Sequence, residues 1–153
     1  MFPRPSRILP LLVLAGCALH GPHVGILRQE DAAVVLDTPQ GRTRRLLLDE
    51  DLRVVRSLAG CTVALDGPRF GPLLIVRSWS VTDAGDGSAP FVGRLSEAGL
   101  RLLLEDRNSG LPVFLAPDAP AELRQAVGRL VLVAGYVVGP QEVRVVHFRI
   151  LSE

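Results

Sequence analysis

Lysine is absent from this chain, and arginine carries all 17 positive side-chain charges. That reads as compositional bias rather than chemistry, but the balance of signs is informative. Sixteen acids leave a formal charge of +1; without Arg4 and Arg7, near the N-terminus, the remaining 15 arginines against 16 acids give about −1. A near-neutral chain with interspersed signs has no electrostatic footprint for nucleic acid. Aromatic rings, the platforms on which single-stranded bases stack, are equally scarce: one Trp, one Tyr and five Phe. Nucleic acid is therefore not an expected partner. Long hydrophobic runs are missing too: the leading one, Ile8–Ala15, has eight residues and contains Pro10. A membrane-crossing helix needs roughly 20 and tolerates proline poorly. No G-x-S-x-G elbow and no phosphate-cradling glycine loop occurs, so no motif implies a nucleophilic serine or a cofactor. What the chain does have is 48% hydrophobic residues over 153 positions, ample for a packed core and enough for one domain or two small ones.

The first 17 residues, MFPRPSRILPLLVLAGC, place two arginines before the short apolar run and end it with small residues and a cysteine. That is the order of a secretory signal: basic region, apolar core, small-residue exit. The closing LAGC, Leu14–Cys17, resembles the lipobox of bacterial lipoproteins. The resemblance implies cleavage between Gly16 and Cys17, a diacylglycerol on the Cys17 thiol and a further acyl chain, such as palmitate, on its new amine. Two or more chains give stable anchoring, at about 0.8 kcal/mol per buried methylene. A lipidated Cys17 leaves no thiol for a bond to Cys61. GCTVAL then reads as a strand start with Cys61 as a buried thiol. The expected location is the cell envelope, lipid-anchored, with residues 1–16 as signal and 17–22 as tether. Seven residues separate Cys17 from the first strand at Val24, a span of at most about 25 Å. The folded part is therefore expected close to the membrane surface.

The rest of the chain repeats. Gly25 and Gly93, Gly60 and Gly128, Gly67 and Gly135, Gly71 and Gly139, and Pro72 and Pro140 are each 68 residues apart. The segments ending at Trp79 and Phe148 align with one extra residue in the second copy. In each copy apolar runs and turn residues predict three strands: Val24–Arg28, Ala33–Asp37 and Arg44–Leu48, then Val92–Ser96, Leu100–Asp106 and Pro112–Leu115. A short helix follows, capped by Asp49 in copy one and opened by Pro120 in copy two, with Gly60 and Gly128 just past the ends. Leu52, Val55 and Leu58 or Ala59 fall on one helical face, as do Leu123 and Ala126 or Val127. Two more strands close each copy. The order β-β-β-α-β-β is that of an OB-fold, a small five-stranded barrel, and Val127–Val137 is similar to the fourth strand of small bacterial OB-like domains. The fold expected is mainly β: two tandem OB-like barrels, residues 23–82 and 90–153, joined by a linker at 83–89. The alternative is a single larger β-sandwich with one core.

Few residues offer chemistry. His20 and His23, in HGPH, stand three apart without a Cys, Asp or Glu beside them, so they read as tether rather than metal site. His147 is expected on the solvent side of a strand or at a barrel rim. The Asp–Gly stretch between the copies lacks the alternate oxygen ligands and distal Glu of a calcium loop. Trp79 and Phe148, at matching places, read as core plugs. The strongest surface candidate is Arg42, Arg44 and Arg45, whose counterpart in the second copy is apolar; the plain alternative is a solvated strand with Arg44 facing out. The arginine group is expected to touch an acidic envelope protein or an anionic surface. The function expected is a non-enzymatic binding or structural module; the alternative is a small envelope hydrolase or modifying enzyme with its site between the copies.

Overall fold

In the computed structural model, which describes residues 21–152, twelve strands and two short 3₁₀ helices form two sheets. The first half contributes β1 (His23–Glu30), β2 (Ala33–Asp37), β3 (Thr43–Leu47), a helix (Glu50–Leu58), β4 (Thr62–Asp66), β5 (Arg69–Phe70), β6 (Leu73–Ile75) and β7 (Ser78–Asp83). The second contributes β8 (Ala89–Ala98), β9 (Arg101–Asp106), β10 (Pro112–Leu115), a helix (Ala121–Ala126), β11 (Leu130–Gly139) and β12 (Glu142–Ile150). The lipobox, Cys17 and His20 lie outside the described residues. Among the described residues no helix is long and apolar enough to cross a membrane.

The second half is a closed barrel in the order β10-β12-β11-β8-β9, with β10 and β12 parallel and the other pairs antiparallel. The first half is a seven-stranded sheet, β5-β6-β3-β2-β1-β4-β7. This departs from the expected pair of five-stranded barrels, and the reason lies at Pro68, the counterpart of Tyr136. In the barrel, β11 pairs with β12 straight through Tyr136, with a register shift at Ala134–Gly135. In the first half Pro68 accepts a bond from the Ile75 amide through its carbonyl but has no N–H to return. The long hairpin therefore breaks into β4 with β7 and β5 with β6. Only Val76 and Arg77 separate β6 from β7, and their amides donate to Leu47 O and Asp66 O. β6 still runs parallel to β3, as β12 does to β10.

The repeat recurs at the level of individual bonds. Leu65 faces Trp79 across β4 and β7, and Val133 faces Phe148 across β11 and β12; the extra residue of the second copy is Val146, left out of register between Val145 and His147. Gly60 N donates to Leu27 O and Gly128 N to Leu95 O, at 2.8 and 2.7 Å. Each of these glycines ends its helix in a type II turn, with φ near +90° after an extended residue, a place glycine fills without strain. The helices are 3₁₀ rather than α, which suits the spacing of three between Leu52, Val55 and Leu58. Asp49 stands at the first helix's N-terminus, but its carboxylate makes no capping bond; its main-chain oxygen accepts Leu52 N instead.

One hydrophobic cluster spans both halves. Leu27, Leu36, Val55, Leu58 and Leu74 from the first half pack with Val92, Leu130, Leu132 and Leu151 from the second. Val131 and Val133, alternating with Leu130 and Leu132 along β11, fill the barrel interior with Leu95, Leu104 and Leu123. β11 is thus buried on both faces from Leu130 to Gly135. Polar contacts reinforce the joint: Arg149 donates to Ser57 O and Ala59 O at the end of the first helix, and the Arg107 guanidinium lies 4.5 Å over the Trp79 ring.

The stretch expected as a linker is ordered. Asp83 Oδ1 accepts the amides of Gly85 and Gly87, Asp86 Oδ1 accepts the amide and hydroxyl of Ser88, and Ala84 and Ser88 are buried. Cys61 is buried, as expected, with its thiol 3.6 Å from Ala84 O.

Candidate functional site

The outer face of β1, β2 and β3 builds a cleft from residues of alternating register. Val35 lies opposite Arg28 on one side and Arg45 on the other, so all three share the face away from Leu36. Glu30, Asp31 and Ala32 at the β1–β2 turn, Ala33 and Val35 on β2, Thr43 and Arg45 on β3, and Pro72 between β5 and β6 line a cleft of about 550 Å³. Asp31 holds the tight turn at a φ of 50°, a conformation aspartate tolerates better than most residues. Beside the cleft, Arg28 bridges Glu30 and Asp37. The Arg28 guanidinium and the Thr43 hydroxyl, both donating to Asp37, hold its carboxyl below the usual range.

The same place in the barrel is filled. Matching registers put Arg101 where the cleft has Ala33, Phe114 where it has Arg45 and Glu142 where it has Leu73. Arg101 lies 4.7 Å over the Phe114 ring and donates to Glu142 at 2.7 Å. Two copies of one hairpin thus present opposite surfaces, one open with a free arginine at its wall, the other plugged by a cation on an aromatic ring.

The structure splits the arginine group across both faces of β3. Arg42 is exposed in the turn, and Arg45 faces the cleft. Arg44 does not face out: it lies opposite buried Leu36, on the side of Leu46. Alternation along a strand forces this division, because Leu46 belongs to the core and Arg44 stands two residues before it. Burial lowers the affinity of Arg44 for its proton, with Arg69 and Arg42 adding repulsion.

His23 is likewise placed differently from the tether reading. It opens β1, opposite buried Leu65, with its Nε2 enclosed. Burial, then Arg44 and Arg69, lower its pKa, while Asp66 works the other way. His147 sits half-exposed, as expected, with Nδ1 3.1 Å from Asp86 Oδ2. The serine hydroxyl and amide on Asp86, more than the imidazole, hold that carboxyl low. Burial raises the Cys61 thiol, so it holds its proton. Among the described residues no group of three or more His, Cys, Asp or Glu is placed to hold a metal.

Where the halves meet, Glu50, Asp51, Val54, Arg107 and Leu130 line a smaller cleft of about 360 Å³. Glu50 is turned to Arg53 at 3.5 Å, and Arg107 is spent on Trp79. Asp106, the buried acid among the described residues, is structural: it accepts from Val92 N, Ser109 N and Ser109 Oγ.

Sequence reasoning singled out the arginines but not the cleft that Arg45 borders, nor His23 and Arg69 as neighbours of Arg44. The available signal was the pairing of Ala33 with Arg101 at the 68-residue offset, a small residue standing where its copy has a large one. No family model and no curated protein matches the chain. Among solved structures, the crystal structure of the tetrameric p202 HIN2 aligns over 86% of this chain and 92% of its own, at 12% identity and a TM-score of 0.32.

Proposed function

We propose that this chain is a non-enzymatic binding module of the cell envelope, anchored by lipid on Cys17 and built from two OB-like units, only the first of which keeps an open ligand face. The OB-like reading is supported by the twice-repeated order of three strands, helix and closing strands, and by the parallel pairing of the third strand with the last in each half. In the first half β6 and β7 together take the part of β12. OB-folds bind on strands two and three and the loops beside them, and the β2–β3 cleft with its Asp31 and Pro72 borders occupies that position. The observation that carries the reading is the contrast between this cleft and its plugged counterpart. Arg45 at its wall and Arg42 in the adjoining turn suit an acidic partner or anionic surface.

Two measurements test this. Cells fed labelled palmitate should incorporate it into the wild-type chain and not into Cys17→Ser; label on the variant overturns the anchor. A photo-crosslinking residue at Thr43, on the cleft, should capture a defined envelope component in intact cells, while one at the matching Pro112 should not. Equal capture at both positions, or none at Thr43, removes the β2–β3 face as the ligand surface.

A further inference from the structure

On the opposite side of β3 from the cleft, three basic side chains gather at one end of the seven-stranded sheet. His23 begins β1 opposite Leu65, Arg44 stands near the start of β3 opposite Leu36, and Arg69 is on β5 opposite Leu74. All three partners are fully buried, so register turns the three basic groups toward the core side, where the strands end and the interior opens to solvent. His23 and Arg44 both border a pocket of about 300 Å³, completed by Pro22, Val24, Thr38, Pro39 and Gln40. His23 Nε2 and Arg44 Nε are shut off from solvent and have no hydrogen-bond partner among the described residues. A buried polar atom left unpaired is costly, so two of them on residues that border one pocket make an arrangement that a ligand reaching them would relieve. The charge is unbalanced as well. Arg42 adds to Arg44 from the turn, and Asp66 on β4 is the acid that faces His23.

We propose that His23 and Arg44, with Arg69 nearby on β5, form a binding site for a phosphate group. Phosphate rather than carboxylate fits because it brings up to two negative charges and several acceptor oxygens to two guanidinium forks and an imidazole. The pocket, at about 300 Å³, has room for a phosphate and part of the group that carries it, so the bearer is inorganic phosphate, a small phosphate ester, or the head of a phosphate-bearing lipid.

The full chain carrying Cys17→Ser, and so without the anchor, is purified and, in detergent-free buffer, titrated with inorganic phosphate by calorimetry and sedimented with vesicles of phosphatidylcholine with and without phosphatidic acid. Expected is binding to one of these probes at about pH 7, about tenfold weaker in Arg44→Gln and in Arg69→Gln and unchanged in Arg129→Gln, an exposed arginine of the barrel half outside both sites. Saturation by inorganic phosphate assigns a soluble ligand. Binding to phosphatidic acid vesicles alone assigns a lipid head. Arg69 is exposed, so its variant separates loss of ligand from loss of fold, checked by Trp79 fluorescence. Binding to neither probe, or binding weakened equally by Arg129→Gln, overturns the proposal.

Discussion

At the residue scale the informative positions are those whose two copies differ. Ala33 and Arg101, Arg45 and Phe114, Leu73 and Glu142 are matched pairs, and each swap changes what the surface can do. Together they leave one hairpin open and close the other. His23 gives a residue-scale prediction with a definite sign. Its proton is held less firmly in the folded chain than in the unfolded one, where the pKa is about 6.5. Unfolding therefore takes up a proton through this group at acid pH, and its contribution to stability is whole above about pH 6.5 and declines as pH falls below that value. Urea unfolding in phosphate-free buffer at several pH values should show this decline in the wild type. It should be shallower in His23→Gln; identical slopes would show that His23 is not its source.

At the scale of the element, close approach of backbone decides what each strand accepts. A Cβ at Gly93 would meet Glu105 O at 1.8 Å, and one at Gly135 would meet Arg144 O at 2.1 Å. Neither contact is with a side-chain tip that can swing away; both are with strand backbone in the ring that closes the barrel. Gly93→Ala should therefore cost about 3 kcal/mol, near the upper end for a single substitution. Gly128→Ala, where a Cβ meets open space and the cost is the positive φ alone, should cost roughly 1 kcal/mol. Denaturant midpoints of the two variants compare them directly, and a barrel that tolerates Gly93→Ala as well as Gly128→Ala would refute the close-approach account. Pro68 acts at the same scale, since one missing N–H divides a long hairpin that Tyr136 leaves whole.

For the whole molecule the question is whether the two halves unfold separately. A unit of about 60 residues buries only about 60% of its unfolded surface and is marginal alone. Here Leu130, Leu132 and Leu151 join the core of the first half, and Arg149 ties down the end of its helix. The chain should unfold in a single transition. Trp79, the sole tryptophan, reports on the first half, and Tyr136, the sole tyrosine, stands in the barrel, so their emission and the far-ultraviolet dichroism should lose signal together. Leu132→Ala, which opens a cavity between the halves, should lower stability by about 3 kcal/mol and shift all three signals alike. Separate transitions would show that the shared cluster does not couple them.

Much of this was legible in the order of residues alone. The 68-residue offset of turn glycines, the three-residue spacing on each helix and the strand starts at Ala33 and Pro112 are local consequences of backbone geometry, and local geometry is written in sequence. The buried state of Cys61 and the half-exposed place of His147 follow from the same alternation. The division of Arg42, Arg44 and Arg45 was not legible without knowing which side of β3 was core, and that depends on the partner strands. The capping role expected of Asp49 failed because a 3₁₀ turn used its carbonyl instead of its carboxylate. The ordered link at Asp83–Ser88 was hidden because its composition is that of a flexible segment, while its order comes from Gly60 and Cys61 packed against it. The unbroken apolar run Leu130–Ala134, beside the alternating Cys61–Leu65 of the first copy, was the trace of a strand buried on both faces. By itself, then, the sequence determined the repeat, the turns and the element order, because these rest on neighbours along the chain. Tertiary structure alone decided that the halves share a core, that one hairpin face is open, and that His23 and Arg44 border one pocket, because those outcomes depend on contacts between residues far apart in sequence.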